Sequence, residues 1–276
     1  MEALWRREVA PCTSARRGVP IASWGTPLLL LAALSLGMLL PASAEGLQSA
    51  ALRCGLEVRE TPDKGRCVFA LKAFKEGDVI LREQPLLLAP RSPLDDPDTR
   101  RRKQLLAFAH APPDVRAAVL ELCSPQDAAP PAVSRSVSRE AAACGVEEEV
   151  LEGVLARVPL IFNVNAFSFG AQSALLHLGC MFSHSCRPNA RFTSLPSEGC
   201  VEFRSAKHIA PGECVSISYI AFPPCGAAQR RRVLRQYHFA CACEACSDGF
   251  DEESAGLPCP RCGPVRGPWC TEGCEL

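Results

Sequence analysis

Cys241, Cys243 and Cys246 place three thiols within six residues. Thiolates are soft ligands and tetrahedral zinc takes four donors, so this trio calls for a fourth from elsewhere in the chain. Further on, Cys259-Pro260-Arg261-Cys262 and the pair Cys270 and Cys274 have ribbon- or knuckle-like spacing for a second ion, with Gly263 and Gly267 supplying tight turns. The second of these pairs is one residue wider than the usual spacing. Seven of the 17 cysteines fall in the last 36 positions. Such crowding means metal thiolates in a reducing compartment or disulfides in an oxidising one, and the odd total leaves at least one cysteine outside any set of intramolecular disulfides. Cys12, Cys54, Cys123, Cys144, Cys200, Cys214 and Cys225 read as small core or surface residues. A second compact group is Ser183-His184-Ser185-Cys186-Arg187-Pro188-Asn189, which gathers hydroxyls, an imidazole, a thiol and an amide.

Short apolar stretches broken by turns must position these groups. Arg66 to Leu71 reads as a strand, Lys75-Glu76-Gly77-Asp78 as a turn and Val79 to Leu81 as a second strand; Pro85 to Ala89 extends the unit until Pro90-Arg91-Ser92-Pro93 ends it. From about Thr99 to Val158 apolar residues recur at helical intervals, among them Leu105, Leu106, Phe108, Val150, Leu151, Val154 and Leu155, which predicts a helical insertion. Within it Ser124 to Ser138, with Pro125, Pro130 and Pro131, reads as an exposed linker. Strands return at Ala190 to Ser194, Cys200 to Arg204 and Cys214 to Tyr219, the last two joined by Ala210-Pro211-Gly212-Glu213, and a helix follows from about Ala227 to Tyr237. Strands at both ends with helices between them predict a mixed α+β, β-rich fold closed by long-range pairing.

The run Ser183 to Asn189 resembles the asparagine-histidine-serine-cysteine-x-proline-asparagine signature of SET-domain protein-lysine methyltransferases, particularly the branch that also carries MYND zinc fingers. Further segments agree in order: Lys64-Gly65-Arg66-Cys67-Val68-Phe69 with Phe74-Lys75-Glu76-Gly77-Asp78-Val79-Ile80; Asn163-Val164-Asn165-Ala166-Phe167; Gly212-Glu213-Cys214-Val215-Ser216-Ile217-Ser218-Tyr219; and Tyr237 through Cys246. The resemblance spans about residues 52–247 and is weakest across the insertion. It implies a SET domain over residues 52–220 with its insert at about 91–160, then a post-SET zinc segment over 221–247, with the ribbon-like pairs in 248–276. In such a fold the signature and the strand ending in Tyr219 pass through one another as a knot-like crossing, with a cofactor pocket on one face and a lysine channel on the other.

The activity implied is transfer of a methyl group from S-adenosylmethionine to a lysine of a protein or peptide, histone or non-histone. The resemblance makes Tyr219 the catalytic tyrosine and Tyr237 a second channel tyrosine. A lysine amine has an unperturbed pKa of about 10.4, yet only its free lone pair can attack. An apolar channel lowers that pKa, and a tyrosine oxygen can orient the amine. For the cofactor the resemblance nominates Lys64, Gly65 and Arg66 as the loop beside its methionine part, Asn165, Cys180, Ser183 and His184 as pocket lining, and Phe239 as a stacking surface for the adenine. His184 has a second role open to it, bonding backbone across the crossing. Cys186 is implied as the fourth ligand of a zinc held by Cys241, Cys243 and Cys246.

Two positions depart from the pattern. Cys67 stands where a second glycine is usual, and Ser183 replaces the signature asparagine with a side chain of shorter reach. Both support a second reading, a catalytically silent, zinc-containing SET module that binds a peptide or protein. No MYND-type cysteine array occurs between residues 85 and 160, so the recognition attached to that finger does not carry over.

Thirty basic and thirty acidic residues cancel, and Arg230-Arg231-Arg232 is too short a run to mark a nucleic-acid footprint, so no direct nucleic-acid partner is expected. A chain of 276 residues accommodates one main domain with small appendages and is expected as a monomer. At the N-terminus Arg6, Arg7, Arg16 and Arg17 precede the apolar run Leu28 to Leu40 and the triplet Ala42-Ser43-Ala44, the layout of a cleavable targeting segment over residues 1–44. The run falls short of the roughly 20 residues that cross a bilayer, so no stable span is expected in the mature chain. The segment points to an organelle or secretory route, whereas the resembled family is otherwise nuclear or cytoplasmic. On a secretory route the cysteines would instead pair, a third reading.

Overall fold

In the computed structural model, residues 39–40, 46–125, 135–143, 151–220 and 227–247 are described, all within the unit Leu36–Leu276. The strands are Leu39–Leu40 (β1), Leu56–Thr61 (β2), Gly65–Ala70 (β3), Val79–Glu83 (β4), Leu87–Pro90 (β5), Phe167–Phe169 (β6), Gln172–Leu175 (β7), Ser183–His184 (β8), Ala190–Leu195 (β9), Cys200–Ser205 (β10) and Ser216–Ile217 (β11). The helices are Leu47–Arg53 (α1), Pro97–Ala109 (α2), Pro113–Leu120 (α3), Arg135–Ala143 (α4), Leu151–Asn165 (α5), Ala227–Leu234 (α6) and Glu244–Ser247 (α7). These form the expected mixed α+β fold, with helices inserted between the early and late strands.

The strands assemble as small sheets: β1-β4-β10-β9, β5-β7-β6, the hairpin β2-β3 and the parallel pair β8-β11. Pairing between β4 and β10 joins segments more than a hundred residues apart, with Val201 opposite Glu83 and Phe203 opposite Leu81. The hairpin β9-β10 closes through Gly199, whose φ of 70° a side-chain-bearing residue adopts only with strain. Across the insertion, α2 starts on Asp96, whose carboxylate accepts the free N–H groups of Asp98 and Thr99, with Pro97 in the first turn where it lacks no bond. Helix α2 packs on α4, α5 and β5, which buries Leu105 and Phe108.

The core runs between these layers. Phe182 stacks on Phe203 with ring centroids 4.6 Å apart, and both are fully buried. At Gly179 an added Cβ would lie 2.6 Å from Leu176 Cδ1 and 2.9 Å from Phe203 Cζ, so packing leaves room for glycine alone. A second, much smaller apolar cluster holds Cys186, Ile220, Leu234, Cys241 and Ala245.

Several local expectations change. The strand expected over Cys214 to Tyr219 contracts to Ser216–Ile217, because its neighbours bond elsewhere: Val215 N–H goes to the Val68 carbonyl at 2.8 Å and Tyr219 N–H to a histidine ring. Arg135 to Ser138 belongs to α4 rather than to a linker, and the last helical turn before Tyr237 tightens to a 3-10 turn over Arg235–Tyr237. Strands β2, β6 and β7 carry no turn-bounded apolar alternation strong enough to predict them. Leu39 and Leu40, the end of the apolar run, pair with Arg82 and Glu83. The rest of the segment 1–44, most of the linker, and residues 248–276 with Cys259, Cys262, Cys270 and Cys274 lie outside the described residues. Among the described residues no helix is long and apolar enough to cross a membrane.

Candidate functional site

The signature run is held in place from behind by a carboxylate. Glu83, buried at the end of β4, accepts N–H groups from His177 at 2.7 Å and Leu178 at 2.9 Å on one oxygen and from Gly179 at 2.7 Å on the other. These bonds satisfy donors at the start of the 3-10 turn Gly179–Met181, from which the chain enters Phe182 and Ser183. Burial raises the Glu83 pKa to about 7, against the opposing pull of the three N–H groups. At the other end, the Asn189 amide donates to Glu213 Oε1 at 2.8 Å and to the Cys214 carbonyl at 2.9 Å, while its oxygen accepts Ser216 N–H at 2.8 Å. The run and the segment 213–217 are thereby fixed to each other.

Tyr219 emerges from that segment into a cleft of about 410 Å³ lined by Asn165, Cys180, Phe182, Phe192 and Tyr237 among others. Its hydroxyl donates to the Phe182 carbonyl at 2.6 Å, which leaves the oxygen's lone pairs to act as acceptors. Burial pushes its pKa well above the usual phenol range, so it stays protonated. The Tyr237 ring sits 5.0 Å from the Tyr219 ring, and its hydroxyl donates to the Tyr219 carbonyl at 3.4 Å. Phe167 and Phe192, edge to face at 4.9 Å, complete an aromatic wall.

The residues nominated for a cofactor divide. Asn165 and Cys180 line the cleft; both Asn165 amide hydrogens are engaged, to the Cys123 and Ile161 carbonyls at 2.8 Å, and the Cys180 thiol donates to the Asn165 carbonyl at 3.4 Å. Gly65 has φ 65°, and a Cβ placed on it would meet no atom within 4 Å, an open cradle beside β3. Lys64 is exposed, and the Arg66 guanidinium bonds the Glu121 carbonyl at the end of α3. The Ser183 hydroxyl meets the Cys214 thiol at 3.4 Å, and Cys67 lies diagonally across from Cys214, two residues from the Phe69 that pairs with it. The two departures from the signature therefore both border Cys214. A cleft of this size suits a drug-sized cofactor, and of the nominated residues Asn165 and Cys180 line it together with Tyr219 and Tyr237.

His184 Nδ1 accepts the Tyr219 N–H at 3.0 Å. A backbone N–H only donates, so the ring proton sits on Nε2, which faces Cys186 Sγ at 3.4 Å. Burial first, then the Arg230 guanidinium, holds its pKa down to about 4 and keeps the ring neutral. Phe239 is 37% exposed, with its ring 5.9 Å from His184 and 6.3 Å from Tyr219.

Cys186 joins Cys241, Cys243 and Cys246, all four sulfurs lying within 4.8 Å of one another. Cys186 Sγ is 3.9 Å from Cys241 Sγ and 3.7 Å from Cys246 Sγ. Zinc–sulfur bonds of about 2.3 Å place the sulfurs of a tetrahedral site about 3.8 Å apart, so the donor set fits zinc. Burial and mutual crowding raise the Cys186 thiol pKa, a penalty on the thiolates that a dication removes. The Arg230 side chain is fully buried beside this cluster, donating to the Ala245 carbonyl at 3.3 Å and to Cys246 Sγ at 3.8 Å. Arg230 and Glu83 escape sequence reading: one lies in a basic run that reads as solvated surface, the other behind an apolar strand. Cys214, read as packing, borders both departures.

The chain resembles known proteins in sequence. A SET domain-containing protein of Acanthamoeba polyphaga mimivirus is 37% identical over 85 residues, covering 31% of this chain and 32% of its own. Histone-lysine N-methyltransferase Smyd1 of Mus musculus is 26% identical over 111 residues, covering 34% of this chain and 23% of its own. The matches thus span about a third or less of those relatives. A solved Plasmodium falciparum protein, assigned as a histone methyltransferase, overlays with a TM-score of 0.30 at 11% identity over 61% of this chain and 95% of its own, and family assignment rests on sequence instead. The family model described as SET domain matches residues 65–220, from the glycine cradle to the residue after Tyr219, and the chain belongs to the SET-domain family.

Proposed function

We propose that this protein is a protein-lysine N-methyltransferase of the SET-and-MYND type without the finger, using S-adenosylmethionine and bearing a post-SET zinc. The observation that carries the reading is Tyr219. Its phenol proton is committed to the Phe182 carbonyl, its oxygen can accept from an amine, and burial keeps it from acting as a phenolate base. Such a group orients a nucleophile. The aromatic wall of Phe167, Phe192 and Tyr237 desolvates a lysine side chain and favours its neutral amine. Gly65, Asn165, Cys180, Ser183 and His184 would hold the cofactor with Lys64 and Arg66 flanking it and Phe239 against its adenine. The cofactor supplies an electrophilic methyl group on a sulfonium. The four-cysteine cluster ties Tyr237 and Phe239 to the signature through Cys186.

Methyl transfer from labelled S-adenosylmethionine to lysate proteins tests the reading. Tyr219→Phe should lower transfer about 100-fold with cofactor affinity retained; equal labelling by wild type and variant overturns it. The replacement of asparagine by Ser183, in contact with Cys214, favours the second reading of a silent binding module. Calorimetry that finds no cofactor binding to zinc-loaded protein would decide for the module. The targeting role of residues 1–44 belongs to the same proposal, and a diffuse signal from a fluorescent fusion of that segment would remove it.

A further inference from the structure

We propose that Cys214 and Cys67 form a peroxide-reactive thiol pair beside the signature run, with Cys214 oxidised first and Cys67 resolving it into a disulfide. The placement is built into the backbone. Phe69 and Cys214 form an antiparallel bridge flanked by Val215 N–H to Val68 O at 2.8 Å and Ala70 N–H to Glu213 O at 2.9 Å. Residues two apart on a strand share a face, so Cys67 lies diagonally across from Cys214. Both are free thiols, Cys67 buried and Cys214 half-buried.

The surroundings assign the roles. The Ser183 hydroxyl lies 3.4 Å from the Cys214 sulfur, and the neighbouring Cys67 and Ser183 together outweigh burial and hold the Cys214 pKa down to about 6. A nucleophilic thiol with solvent access and a low pKa is the reactive kind. The neighbouring Cys214 and burial hold the Cys67 thiol pKa up, and Thr61 Oγ1 sits 3.7 Å from its sulfur. In the first step the Cys214 thiolate attacks hydrogen peroxide: an S–O bond forms, the O–O bond breaks, and with one proton the leaving hydroxide becomes water. In the second step Cys67 sulfur attacks Cys214 sulfur: the S–S bond forms, the S–O bond breaks, and hydroxide takes the Cys67 proton and leaves as water. Two thiols lose two electrons in all, and one peroxide is reduced to two waters.

The bond alters the site. A disulfide holds its β-carbons about 3.8 Å apart, closer than the diagonal spacing of an antiparallel pair. Closing it draws Cys214 toward Gly65 and Arg66 and takes its sulfur from Ser183, so oxidation loosens the wall that the proposed cofactor reading assigns to those residues. That consequence rests on the methyltransferase reading, whereas the thiol pair does not.

Zinc-loaded full-length protein treated with stoichiometric hydrogen peroxide, then mapped by differential alkylation and mass spectrometry, tests the pair. The expected product is a dithiothreitol-reversible Cys67–Cys214 bridge, and in Cys67→Ser a dimedone adduct on Cys214. The pair is refuted if wild-type Cys67 and Cys214 stay alkylatable while other cysteines oxidise, a result independent of whether the variant folds. Calorimetry with S-adenosylmethionine on reduced and oxidised protein should show affinity falling about tenfold or more on oxidation. Reduced protein that binds no cofactor would refute the methyltransferase reading and leave the mapping as the test of the thiols.

Discussion

The two ends of the signature run meet the rest of the protein on different terms. At Cys186 the surroundings are a complete set of four sulfurs at tetrahedral spacing, and every member stands at its expected position. At Ser183 the expected asparagine is gone, and the smaller hydroxyl touches Cys214, which stands diagonally across from the cysteine at the usual glycine position. A metal site needs a fixed number of donors at fixed distances, so losing one ligand loses the site. A pocket wall is packed volume and hydrogen bonds, which neighbours can redistribute among themselves. The chain keeps its family pattern where coordination demands it and departs where packing can compensate.

The largest effect that tests this contrast is removal of zinc. Among the described residues, the apolar cluster around α6 and α7 has five buried members, two of them proposed ligands, Cys186 and Cys241, a small core for the metal to support. Structural zinc contributes about 10–16 kcal/mol in small zinc-finger peptides. Chelation, or Cys186→Ser, is expected to strip hydrogen-exchange protection from residues 227–247 while β9 and β10 keep theirs. Unchanged protection in protein shown to be zinc-free would break the contrast.

A smaller effect comes from Glu83, which holds the Ser183 end by hydrogen bonds alone. Its pKa rises from 4.5 to about 7 on folding, so the folded state binds the proton more tightly. The stability this contributes is full below about pH 4.5 and is lost as pH rises through about 7. The change amounts to about 3 kcal/mol across the window. Glu83→Gln abolishes that dependence. It also sets an amide donor against a backbone donor, at a cost of about 1–3 kcal/mol. Urea unfolding of both proteins across the window measures the difference, and a difference that does not vary with pH would mean the carboxylate holds one protonation state throughout.

What was legible in the sequence follows from the same physics. Strands β3, β4, β9 and β10 announce themselves by apolar runs between turns, and the helical insertion by its periodicity. The zinc trio is legible because its ligands are adjacent; Cys186 is legible only through the family resemblance, since nothing local reveals that residues 55 positions away share a centre. Glu83 hides for a related reason: a charged residue at a strand end looks solvated, and only the long-range pairing of β4 with β10 buries it. The shortening of β11 depends on Asn189, His184 and β3 claiming the backbone groups of Cys214, Tyr219 and Val215, partners assembled only by the fold.

The finest test is a double-mutant cycle at the departing end. Ser183 is 9% exposed with Cys214 sulfur at 3.4 Å, so restoring the signature residue by Ser183→Asn overpacks the site and should cost about 1–3 kcal/mol. Cys214→Ala removes the sulfur that the larger amide would strike. If the departures compensate one another, the asparagine should be better tolerated in the Cys214→Ala background, with a coupling of about 1 kcal/mol in thermal or urea unfolding. Costs that add to within about 0.5 kcal/mol would show that Ser183 and Cys214 changed independently. In that case the contact between them is incidental, and the wall of the site has lost its asparagine without a replacement.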